Sequence, residues 1–231
     1  MTVLIGGILS FTSQVLGPAQ KKSIELDTKS QILSAVIQLD KGDNVLDIYN
    51  SRIKSMVVDI EGNLIEKDRK GNPIIAEEVN ILKNYKMDAA KREYPVYKYM
   101  NEKDSTQVEA YILPLYGAGL WNAIYGFIAL EKDFNTVKGA SFGHVQETPG
   151  LGARIASHDV QVRYKGKTIF DESGNIVSIT MVKGETKDPS LFGPHQVDGM
   201  SGATLTAKGL NAMVKDYLEC YKSFIKKNQH Q

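Results

Sequence analysis

Between Tyr94 and Val145 the chain is a succession of strand-like runs joined by short turns, and a single long amphipathic helix closes the C-terminal end. Tyr94–Tyr99 and Val108–Leu113 read as strands. Asn122–Glu131 and Thr136–Val145 read as stronger ones, with Asp133-Phe134-Asn135 as the turn between them. From Thr206 to Lys226, the residues Leu210, Val214, Tyr217, Leu218, Tyr221, Phe224 and Ile225 recur on one face at helical spacing. Strands and helices come in mixed order and hairpins dominate the middle. The expected fold class is therefore α+β, a mainly antiparallel sheet with packed helices, rather than a doubly wound parallel sheet. Neither G-x-G-x-x-G nor a Walker A run occurs, so Rossmann and P-loop readings lose their main support.

The flanking segments read less sharply. Lys29–Leu39 carries Ile32, Leu33, Val36 and Ile37 at helical spacing and predicts a helix. Met56–Ile60, a Glu61-Gly62-Asn63 turn and a returning Leu64-Ile65 predict a hairpin. Ala76–Arg92, with Val79, Leu82, Tyr85 and Ala89 three or four apart, predicts a helix. Gly150–Ser157 predicts the start of another, and Gln161–Tyr164 and Ile176–Val182 predict strands.

Composition narrows the function. With 28 Lys+Arg against 27 Asp+Glu the net charge is +1, which lacks the basic excess of a nucleic-acid binder. The only cysteine, Cys220, makes no internal disulfide and no cysteine-based cluster, and reads as a packing residue. Met1 to Gln20 carries no charged side chain and is followed at once by Lys21 and Lys22. That stretch reads as a short transmembrane anchor over 1–20, with a signal peptide and a buried helix as the other readings. Lys21 and Lys22 alone would sit on the cytoplasmic side. The remaining residues, 21–231, form one domain.

His144, His158, His195 and His230 show no i, i+4 pair and no H-E-x-x-H, and read as isolated histidines. Two segments stand out. Asp198-Gly199-Met200-Ser201-Gly202-Ala203-Thr204 packs small residues just before the long helix. A hydroxyl there faces the positive end of the helix dipole and its free N–H groups, which suits a phosphate or phosphate ester. Equally, Thr204 or Thr206 could cap the helix. The second segment, Glu147-Thr148-Pro149-Gly150-Leu151-Gly152, is a turn whose glycines allow close approach by backbone or ligand.

The run Asp198 to Thr204 resembles the D-x-x-[ST]-G-A-T flavinylation motif of the FMN-binding domain family, and the E-T-P-G-L-G run of Glu147–Gly152 is similar to that family's second signature. A third stretch, Gly117-Ala118-Gly119-Leu120-Trp121, resembles the C-type subunit of the Na⁺-translocating NADH:quinone reductase more than the G-type subunit of the Rnf complex. The resemblance implies an electron-carrying subunit relaying electrons from NADH toward ubiquinone, coupled to Na⁺ export by the whole complex. The G-type subunit and a non-redox structural or interaction domain are the alternatives.

The resemblance also implies a cofactor and its site. An FMN transferase would join FMN to Thr204 by a phosphoester bond. Ser201, Gly202 and Ala203 would line the phosphate and ribityl region, and Asp198 would help the transferase read or activate Thr204. Thr148 and Leu151 match positions that hold the isoalloxazine ring. Trp121 would either pack near that ring or fill the core. The implied partners are the other subunits of the complex, the transferase during maturation, and the membrane through the N-terminal helix, with no nucleic acid. The implied location is the inner membrane, single-pass, with the large domain on the periplasmic side, against the Lys21/Lys22 count. Alone the chain would have no NADH dehydrogenase activity.

Overall fold

The computed structural model describes residues 2–68, 71–186 and 188–229, and only the backbone of 2–5, 7–9 and 11–13. Its centre is a five-stranded antiparallel sheet in simple sequential order. The strands are β1 (Ile53–Val58), β2 (Tyr94–Met100), β3 (Val108–Ala118), β4 (Ala123–Glu131) and β5 (Val137–His144). The expected α+β class is observed. The turn predicted before β5 is also present: the Asp133 carboxylate accepts from Asn135 N at 2.9 Å, Thr136 N at 2.8 Å and the Thr136 hydroxyl at 2.6 Å.

Both faces of the sheet are buried, which is why the strands are nearly continuous apolar runs. Leu113 and Leu115 of β3 with Ile124, Ile128 and Leu130 of β4 face the larger core, under α5 (Thr204–Asn228). Ile112, Phe127 and Ala129 face the other way, against the end of α1 (Thr2–Ser34), where Ile32 and Leu33 are buried, and against Tyr49 of α2 (Val45–Arg52). Cys220 is a free thiol packed on the larger core.

Several expectations are corrected. Ala76–Arg92 is not one helix but a 3-10 turn at Ala76–Glu78, the short α3 (Ile81–Tyr85) and another 3-10 turn at Ala89–Lys91. Asn80 and Asp88 restart the chain by accepting from Lys83 N and Ala90 N, in the way these side chains compete with continuous helix. Gln161–Tyr164 is not a strand: α4 (His158–Gln161) runs into a 3-10 turn at Val162–Tyr164. Val160 and Tyr164, both fully buried, are four apart, the spacing of a helical turn and not of a strand. Of Ile176–Val182 only β6 (Thr180–Met181) is strand, pairing parallel with β7 (Gln196–Val197), because Ser178 at φ 63° breaks the extended run. The hairpin expected at Met56–Ile65 is present in its turn and return, with Leu64 bridging Val58 antiparallel and Ile65 N donating to Val57 O at 2.8 Å, but the return is too short to form a second strand. Gly150–Ser157 forms only a 3-10 turn, Gly152–Ala156.

At the N-terminus, α1 runs unbroken through residues 20 and 21 and ends at Ser34, short of Leu39. Val15, Leu16, Ile24 and Leu26 on it are exposed. Among the described residues no helix is long and apolar enough to cross a membrane.

Candidate functional site

The helix α5 begins at Thr204, with Ala203 in the N-cap position and no side-chain cap. The capping reading of Thr204 and Thr206 is thereby overturned. The Thr206 hydroxyl donates instead to Glu147 Oε2 at 2.7 Å, a bond buried between segments 59 residues apart. First-turn N–H groups that a cap would have satisfied are left for another acceptor.

Glu147 joins a third segment. Its Oε1 accepts from the backbone N–H of Trp121 at 3.1 Å, and the Trp121 indole N–H donates to the Thr148 hydroxyl at 3.2 Å. Trp121 lies at the tip of the β3–β4 hairpin, closed by Gly119 N donating to Asn122 O at 2.8 Å. The indole is not a core residue: it is 67% exposed, and Leu120, Leu151 and Leu205 are exposed too. Gly202, at φ 72°, faces Leu151, whose Cδ2 would lie 2.8 Å from a Cβ there. The three stretches singled out in the sequence, from Gly117, Glu147 and Asp198 onward, therefore converge at the start of α5.

The sequence-predicted residues take distinct places. Ser201 and Gly202 are exposed, Ala203 is buried and Thr204 is half-buried. Thr204 opens onto a cavity of about 360 Å³ shared with Lys183, Met200, Lys208 and Asn211. The Asn211 side chain holds β6 along α5, accepting from Met181 N at 2.8 Å and donating to Met181 O at 2.9 Å. Asp198 is buried, and its carboxylate accepts from the backbone N–H groups of Thr186 and Gly199.

One cluster has no signal in the sequence. Glu185 receives both guanidinium nitrogens of Arg154, at 2.8 and 2.7 Å, and Arg163 at 2.9 Å. Asp159 bridges the same two arginines at 3.0 and 3.2 Å. Arg163 also donates to Asp198 O and Gly199 O, and Ser201 N donates to Glu185 Oε2 at 3.3 Å. The two guanidinium groups hold the Glu185 carboxyl well below the usual carboxylate range. The network ties the backbone of 198–201 in place from behind. Its members come from 154 to 201, and apart from the i, i+4 pair Asp159 and Arg163 no local spacing announces them.

The family model of the FMN-binding domain matches residues 119–219. The C-type subunit of the Na⁺-translocating NADH-quinone reductase of Pseudomonas aeruginosa is 31% identical, over 94% of this chain and 90% of that protein. Its counterpart in Haemophilus ducreyi is 32% identical, over 93% and 84%. The crystal structure of the same subunit from Parabacteroides distasonis superposes with a TM-score of 0.74 at 32% identity, covering 91% of this chain and 96% of that one.

Proposed function

The chain belongs to the family of C-type subunits of the Na⁺-translocating NADH-quinone reductase, and on that premise we propose that it carries electrons within that complex through an FMN bound covalently to Thr204. The observation that carries the reading is the convergence of three separate motifs on an uncapped helix start. The residues present fit the group. Thr204 supplies the ester oxygen at a helix N-terminus that favours an anion. Ser201, Gly202 and Ala203 give an approach free of bulk. Trp121, Leu151 and Thr148 offer a flat exposed indole, an aliphatic surface and a hydroxyl to the ring. The flavin supplies the redox chemistry when bound, while the protein orients it.

During maturation the Thr204 hydroxyl oxygen would bond to the FMN phosphorus of FAD as the pyrophosphate bond breaks, releasing AMP and the hydroxyl proton. Asp198 assists by holding the loop that the transferase reads, through its bonds to Thr186 N and Gly199 N. The chain works with the other subunits and has no NADH dehydrogenase activity of its own. We place residues 1–20 as the attachment to the inner membrane, single-pass, and 21–231 as a periplasmic FMN domain. Support comes from the uncharged stretch before Lys21, the exposed Val15 and Leu16 within it, and the family resemblance. The Gly117–Trp121 stretch and the C-type relatives favour this reading over a G-type subunit.

The test is in-gel fluorescence of the denatured protein, with intact mass, after production alongside an active FMN transferase. A fluorescent band heavier by FMN less one water, absent in Thr204→Ala, is expected. No covalent flavin despite an active transferase would leave a structural domain.

A further inference from the structure

Glu147 combines three properties. The residue is buried, at 6% exposure. It is held by neutral donors alone, the Trp121 backbone N–H and the Thr206 hydroxyl, and among the described residues no cation pairs with it. Two glycines make its room: a Cβ at Gly119 would run into Oε1, and a Cβ at Gly152 into Oε2 and the Thr206 hydroxyl. Burying a carboxylate without a cation costs free energy. A neutral amide of the same shape could make both links, its oxygen accepting from Trp121 and its NH₂ donating to Thr206. The links alone therefore do not account for a carboxylate.

We propose that Glu147 is a positioning residue for the flavin: it ties the hairpin tip carrying Trp121 to the first turn of α5, and its negative charge beside the ring platform opposes reduction of the ring. This rests on the flavin reading of Thr204. The tie acts on the Trp121 backbone while Thr148, the next residue in the chain, holds the indole, so the platform is set before the cofactor arrives. The charge acts by plain electrostatics, since electrons added near a buried anion are disfavoured.

Trp121 is the chain's only tryptophan, so its fluorescence reports on this hairpin tip. In the full chain made without transferase, Glu147→Ala is expected to lower indole anisotropy clearly and raise acrylamide quenching slightly, since the indole is already largely exposed, while Glu147→Gln behaves as wild type. In the flavinylated chain, Glu147→Gln is expected to shift the flavin midpoint potential upward. Thr206→Val cuts one link and serves if Glu147→Ala does not fold; it should change anisotropy in the same direction by less. Wild-type anisotropy and quenching in folded Glu147→Ala, or in Thr206→Val where Glu147→Ala does not fold, would overturn the proposal, as would a wild-type potential in Glu147→Gln. The tryptophan readings need no flavin. A wild-type chain that takes up none despite active transferase therefore strikes the Thr204 reading and leaves the tie to be judged by anisotropy.

Discussion

Single atoms decide the site more than residue types do. Gly152 is a glycine because the Thr206 hydroxyl and Glu147 Oε2 occupy the space of its missing Cβ. Gly152→Ala should force one of them aside, lowering stability by about 1–3 kcal/mol in urea unfolding and reducing flavin loading in the same preparation. Thr204, Gly202 and Leu151 were legible in the sequence because each lies in a contiguous run. The role of Thr206 was not. Its hydroxyl at a helix start reads as a cap, and only the fold brings Glu147 within 2.7 Å to claim it.

Among elements, the 198–203 loop depends on a charge cluster from α4 and its neighbours. The Glu185 carboxyl is lowered from its ordinary value near 4.5 by Arg154 and Arg163. A group whose folded pKa is depressed contributes stability that is full above its unfolded pKa and is lost as pH falls toward the folded one. Amide protection factors across 198–203, taken against the intrinsic exchange rate at each pH, should therefore hold above about pH 4.5 and fall on acidification below it. Glu185→Gln should show fast exchange at neutral pH, and an unchanged rate there would remove the cluster as the loop's support. Helical and strand periods failed in the short elements for a related reason. Asn80 and Asp88 cap locally and Ser178 turns left-handed, so the periodicity of their segments did not survive.

At the scale of the molecule, α5 carries the site at one end and the core along its length. Leu218 is fully buried under the sheet, and the Tyr221 hydroxyl donates to Pro95 O at 2.7 Å. Leu218→Ala should cost about 2–5 kcal/mol, measured by denaturant midpoint. Because Leu218 lies nearly four turns from Thr204, the variant that still folds should take up flavin normally.

The sequence alone determined the antiparallel hairpin order, the long C-terminal helix and the motif ending at Thr204, since each is written in local periodicity or in adjacent residues. Only the tertiary structure decided that both sheet faces are covered, that Trp121 lies exposed at a hairpin tip beside Thr148, and that Glu147, Thr206, Glu185 and the two arginines frame the start of α5. Those contacts span tens of residues and depend on how loops are packed against the helix. A hydrogen bond between residues 59 apart leaves no trace in the spacing of either segment.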